Sequence, residues 1–137
     1  MKIVLDTNVL LVSIPKKSKY RIIFDALLEQ HYTLLISNDI LMEYEEMIGM
    51  KTTPRIATHV VEMLLNLRNV EKIDVFFRWN LIDGDPDDNK FSDCAIAGNA
   101  DFLVSNDGHF DVLESLVFPK IPRVTIEEFA ELLKKAQ

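Results

Sequence analysis

Lys2-Ile3-Val4-Leu5-Asp6 opens the chain with an apolar, β-branched run that stops on a carboxylate. An apolar run without polar alternation predicts a strand buried on both faces, as in parallel sheets covered by helices. The same texture returns at Thr33-Leu34-Leu35-Ile36 and at Phe102-Leu103-Val104-Ser105. Between these runs apolar residues recur at helical spacing. Ile22, Ile23, Ala26 and Leu27 stripe a segment that Ser18 caps and that runs to Gln30. Ile40, Leu41, Tyr44, Met47 and Ile48 stripe a second, capped by Ser37 or Asn38 and ended by Gly49. Ile56, Val60, Met63, Leu64 and Leu67 stripe a third, opened by Pro54. Helices are also expected over residues 88–98, briefly near 110–115, and over 126–135, with further strands at 73–77 and 123–125. Pro15 and the lysines after it read as a loop. Strands alternating with helices predict an α/β protein: one domain over residues 1–137, a three-layer α/β/α sandwich around a central parallel sheet.

A hydrophobic content of 48% excludes a disordered chain. The apolar runs, such as residues 9–12 and 22–24, are too short to span a bilayer. Asp6 and Asn8 interrupt the stretch in which a secretion signal would need to be apolar. Cys94 stands alone, so no internal disulfide is expected, and the cytoplasm is the expected compartment. Beside Ala95 and Ile96 it reads as a small buried residue. The net charge of −7 and pI of about 4.9 lack the basic footprint usual in nucleic-acid binders. The distribution matters more. Asp83, Asp85, Asp87 and Asp88 crowd one loop, while Lys16, Lys17, Lys19 and Arg21 crowd another. Such a chain can hold metal in one place and phosphate in another.

In an open α/β sheet, ligands bind beyond the carboxyl ends of the strands. Asp6 directly follows the first strand, Glu43 lies early on the helix after the second, Asp88 lies at a helix start, and Asp107 lies two residues past Ser105. Any one of these acids could be a turn former or cap. Jointly they fall on one rim, where their repulsion calls for a divalent cation. Oxygen donors favour Mg²⁺ or Mn²⁺. His31, His59 and His109 are scattered and form no Cys/His cluster. The loop beginning Asp83-Gly84-Asp85 fails as an EF-hand: counted from Asp83, Asp88 and Cys94 stand where glycine and glutamate are required, and counted from Asp85, Lys90 and Ile96 do.

Leu5-Asp6-Thr7-Asn8-Val9, then Ser37 with Glu43, then Asp85-Pro86-Asp87-Asp88 with Phe91 and Ala95, and finally Ser105 with Asp107 resemble the PIN domain. The closer likeness is to the toxin group of bacterial and archaeal toxin–antitoxin systems. The resemblance covers essentially the whole chain. It implies a Rossmann-like sandwich and a metal-dependent endoribonuclease that hydrolyses RNA with Mg²⁺ or Mn²⁺ held by Asp6, Glu43, Asp88 and Asp107. Asn8 and Ser105 match supporting positions. Asp88 is preferred to Asp93 because it opens the helix nineteen positions before Asp107; Asp93, five residues further on, is rotated by ~140° from it. An antitoxin and a homodimer are further implications, and Val61 and Leu65 supply spare apolar positions for the latter. The competing readings are a phosphatase or phosphotransferase with Asp6 as nucleophile, and a non-catalytic domain that binds RNA or a partner.

Overall fold

The computed structural model describes residues 1–136. Its five strands, β1 (Lys2–Leu5), β2 (Thr33–Ile36), β3 (Val70–Lys72), β4 (Phe102–Val104) and β5 (Arg123–Val124), form one parallel sheet in the order β3-β2-β1-β4-β5. Ile3, Val4 and Leu5 on β1, and Leu34, Leu35 and Ile36 on β2, are all fully buried. Successive strand residues point to opposite faces, so both faces are covered and the α/β/α sandwich stands. The helices are α1 (Thr7–Ser13), α2 (Arg21–Leu28), α3 (Asn38–Lys51), α4 (Pro54–Asn66), α5 (Asn89–Ala97) and α6 (Ile126–Ala136). α5 packs over β1, β2 and β4, α3 packs against α1, α4 and α5, and α2 packs against α1 and α6. Gly98 ends α5 where a Cβ would stand 2.7 Å from Leu35 Cδ1, so the helix end can lie close on β2. No helix among the described residues is long and apolar enough to cross a membrane.

Several boundaries differ from the sequence expectation. α1 was not foreseen, because Val9 and Val12 favour strand; the helix forms because it buries Thr7, Val9, Leu10 and Ser13. α2 begins at Arg21 rather than after Ser18, whose hydroxyl accepts the Tyr20 N–H at 3.1 Å in the preceding turn. It ends before Gln30, which has φ 62°. α3 continues through Gly49 to Lys51, and the break falls at Thr52 and Thr53, where Thr53 Oγ1 accepts the Ile56 N–H that starts α4. The third strand lies at Val70–Lys72, not at 73–77. β2 ends at Ile36 because Ser37 caps α3. The Ile73 N–H to Ile36 carbonyl bond, 2.6 Å, is therefore the last rung, and the chain beyond leaves the sheet with Phe76 and Phe77 exposed. The expected dimer positions also differ: Leu65 is exposed, but Val61 is buried.

From β1 the chain winds outward through β2 to β3, then crosses back to β4 and β5. The direction of winding reverses between β1 and β4. At such a switch point adjacent connections part and leave a crevice at the carboxyl ends of the strands. Asp6 and the segment Ser105–Asp107 emerge there.

Candidate metal centre

The Asp6 N–H donates to the Val104 carbonyl at 3.0 Å, carrying the β1–β4 pairing one residue past the strand. Its carbonyl accepts the Leu10 N–H at 3.2 Å and so begins α1. This double duty buries the side chain to 6% exposure. Asp6 Oδ2 accepts a hydrogen bond from the buried Ser105 hydroxyl at 2.6 Å, and that hydroxyl accepts the Asp107 N–H at 3.0 Å. One serine thus ties the two strand ends together and sets Asp6 beside Asp107. Burial pushes the Asp6 carboxyl above its ordinary value; hydrogen bonds from Ser105 and the Thr7 backbone pull it down, and Asp107 and Glu43 push it further up.

Asp107 Oδ1 accepts the His109 N–H at 2.9 Å and starts a 3-10 segment, Gly108–Ser115. The His109 ring turns back, with Nδ1 3.1 Å from Asp107 Oδ1 and 3.3 Å from Asp88 Oδ2. Asp88 arrives from the acidic loop. Asp85 Oδ1 accepts the Asp87 N–H at 3.2 Å and opens a 3-10 turn, Pro86–Asp88, that leads into α5. The Asp88 side chain is 13% exposed, and its Oδ2 is buried with no aligned hydrogen-bond donor. Burial, then the charges of Asp85, Asp107 and Asp6, push its carboxyl up to about 6 against the pull of His109. Asp85, Asp88 and His109 each place a ligand atom within 4.8 Å of the others.

Glu43 comes from α3, whose position is fixed by its neighbour Tyr44: the buried phenol donates to the Leu5 carbonyl at 2.6 Å, at the very end of β1. Both Glu43 carboxylate oxygens are occupied. Thr7 Oγ1 donates to Oε2, and Lys90 Nζ lies 2.7 Å from Oε1.

The structure therefore links Asp6 to Asp107 through Ser105 and Asp107 to Asp88 through His109, and sets Glu43 beside Asp6 through Thr7. It turns Asp93 elsewhere: that buried carboxyl accepts the Trp79 N–H at 3.0 Å. Asn8 is exposed and shares a cleft of about 360 Å³ with Asp6, Tyr20, Asn106 and Asp107. A second cleft, of about 430 Å³, is lined by Glu43, Arg78, Asp87, Lys90 and Asp93. Lys16, Lys17 and Lys19 are exposed, whereas Arg21 is engaged with Asp25 at 2.8 Å and with the Ile14 carbonyl. The Tyr20 hydroxyl donates to Glu127 at 2.9 Å.

Sequence reasoning missed Thr7, Lys90 and His109. His109 was set aside as scattered, although it follows Asp107 by two positions and the turn begun by that aspartate folds its ring into the site. The buried Asp88 carboxyl, which burial and the charges of Asp85, Asp107 and Asp6 push up, fits a divalent cation. The oxygen donors suit Mg²⁺ or Mn²⁺, and the His109 nitrogen tilts the choice toward the transition ion.

The family model described as PIN domain matches residues 2–109. Among solved structures, the chain is similar to VapBC2 from Rickettsia felis bound to a DNA fragment from their promoter, with 22% identity, 91% of this chain and 98% of that chain covered, and a TM-score of 0.61. It is also similar to DNA-bound VapBC from Salmonella typhimurium, with 21% identity, 92% and 98% coverage, and a TM-score of 0.57. At these identities the likeness establishes the fold. No curated protein matches the chain in sequence.

Proposed function

The chain belongs to the PIN domain family, and from that premise we propose that it is a divalent-metal ribonuclease hydrolysing RNA phosphodiester bonds, the toxin of a toxin–antitoxin pair. The observation that carries this reading is the acidic group at the switch point: Asp85, Asp88 and His109 place ligand atoms within 4.8 Å of one another, and the charges of Asp6 and Asp107 act on the same Asp88 carboxyl. Asp6, Asp88 and Asp107 would hold the ion, with His109 beside them and Glu43 closing the set from α3. A bound divalent cation supplies an acidified water and positive charge against the phosphate.

The residues of the chain do the rest. Ser105 holds Asp6 and the Asp107 backbone in register through one hydroxyl. Tyr44 pins α3 to the end of β1. Tyr20 stands at the rim of the Asp6 cleft, next in the chain to Lys19, where an RNA strand can lie with its phosphates toward the lysines. The two similar solved structures are VapBC assemblies on DNA. An antitoxin partner for this chain, and a homodimer, belong to the same proposal.

The test is cleavage of single-stranded RNA by purified protein. Products should appear with Mg²⁺ or Mn²⁺ and cease on addition of chelator. Cleavage that survives complete metal removal refutes the mechanism.

A further inference from the structure

Resting on the metal-centre reading, we infer that Arg123 is a positioning residue of that centre: its guanidinium sets the loop that carries Asp107 and His109. β4 ends at Val104, and Ser105 is the first residue beyond it. β5 nevertheless holds both backbone groups of Ser105. The Ser105 N–H donates to the Val124 carbonyl at 3.0 Å, and the Ser105 carbonyl accepts from Arg123 Nη1 at 3.1 Å. The arginine side chain thus extends the hold of β5 past the end of β4. This reaches the centre because the Ser105 hydroxyl joins Asp6 Oδ2 to the Asp107 N–H.

The same guanidinium reaches the far end of the loop. Nη2 pairs with Asp111 and lies 3.3 Å from Glu114, both in the 3-10 segment that Asp107 starts. Hydrogen bonds in 3-10 turns are poorly aligned, and runs beyond three or four residues need outside support. This one spans eight residues. Phe110 and Leu113 root it in the core, while His109 is exposed. Arg123 therefore grips the loop on both sides of Asp107 and His109. A planar guanidinium with a fixed fork can hold a carbonyl and carboxylates at set angles, which an ammonium cannot. The arginine side chain is only 7% exposed, but Asp111 and Glu114 are 66% and 62% exposed, so the ion pairs add little stability of their own. What the grip fixes is where Asp107 lies beside Asp6 and where the His109 ring meets Asp88.

Charge and position act in opposite directions here. As a cation near carboxylates, Arg123 repels a divalent ion, so on charge alone its removal would tighten metal binding. As a positioning residue, it holds Asp107 and His109 in place, so its removal weakens metal binding, by the 10- to 100-fold typical of groups that orient metal ligands.

The experiment combines Mn²⁺ titration without RNA with amide hydrogen exchange in chelator. In Arg123→Met the Mn²⁺ dissociation constant should rise at least about tenfold. The Asp107 and His109 amides should exchange faster relative to the buried Leu34 amide, which donates to the Asn69 carbonyl on the far side of the sheet. Arg123→Lys replaces the Met variant if the latter does not fold, with the same changes expected. Val61→Ala serves as a control for lost stability alone. It lies on α4, which packs against β3 at the opposite edge of the sheet from β5. It should lower the melting temperature and leave the Mn²⁺ dissociation constant within about threefold of wild type. A Mn²⁺ affinity in Arg123→Met that is tighter than wild type, or within about threefold of it, overturns the inference. So does an equal loss of affinity in Val61→Ala. If the wild type binds no Mn²⁺, the metal-centre reading fails, and the exchange measurement still decides the role of Arg123: Asp107 and His109 amides no faster than in wild type, relative to Leu34, overturn it.

Discussion

Asp88→Asn removes one charge at nearly constant shape from the place where the metal-free fold tolerates it least. In the folded protein the Asp88 carboxyl is pushed up from 3.8 to about 6, first by burial and then by Asp85, Asp107 and Asp6. Below about pH 4 it is protonated in both folded and unfolded chains and has no effect. Between about pH 4 and 6 the unfolded chain gives up its proton first, so stability falls as pH rises, and above about 6 the loss is complete and constant. At ~1.36 kcal/mol per unit the loss is at most about 3 kcal/mol, and screening through the solvent-exposed side of the cluster reduces it to about 1–2. In chelator at pH 7.5 the Asn variant should therefore melt about 3–8 °C above wild type. At pH 4 the two should coincide. Millimolar Mn²⁺ should raise the wild-type melting temperature by mass action and raise that of the variant much less. Thermal melts at both pH values, with chelator and with metal, give the four readings. A variant less stable than wild type by the same amount at pH 4 and pH 7.5 would refute the reasoning, because the carboxylate would then be a structural partner rather than a strained charge.

Asp107→Asn keeps the side-chain oxygen that accepts the His109 N–H, so stability should stay within about 0.5 kcal/mol of wild type; cleavage of RNA should fall at least ~100-fold, and retained activity would remove Asp107 from the site. Changing Lys16, Lys17 and Lys19 together to alanine should flatten the salt dependence of RNA binding by roughly 2 units of slope, at ~0.7 per single-strand phosphate contact. Arg21 is left out because it is spent on Asp25 and the Ile14 carbonyl. Sedimentation at micromolar concentration should find a homodimer, and Leu65→Glu should shift it toward monomer if the exposed Leu65 lies in the contact; a wild-type monomer rejects the pairing.

The strands and the aspartates at their ends were legible because both signals are local. Ile3-Val4-Leu5 shows no polar alternation, and Asp6 and Asp107 sit at or just past strand ends, where topology alone points them to the rim. α1 was hidden because Val9 and Val12 carry strand propensity, and the burial that overrides it is tertiary. The aromatic, β-branched run at 73–77 looked like a strand, but it had no partner once Ser37 turned β2 into α3. The environment of Glu43 was illegible for a different reason. Lys90 and Thr7 lie 47 and 36 residues away, and spacing along one element says nothing about which side chains meet between elements. Asp93 shows the converse. Helical geometry turned it away from Asp88, but that its carboxyl would instead receive the Trp79 N–H could not be read from helix geometry.

These contacts bear on how a chain of net charge −7 could approach a polyanion. Repulsion reaches about a Debye length, ~8 Å at physiological salt, so local charge near the crevice matters more than the total. Glu43 is paired with Lys90, and Arg123, which also donates to the Ser105 carbonyl, offsets one of the two charges of Asp111 and Glu114. The uncompensated charge near the crevice is left to Asp6, Asp88, Asp107 and the loop acids around Asp85. On the proposed reading a divalent cation would cancel two of those charges at once and also weaken their repulsion of RNA. By the same electrostatics the proposed metal-free state would be both less stable and less attractive to RNA. Stability and substrate affinity would then answer to one variable, the occupancy of the aspartate centre.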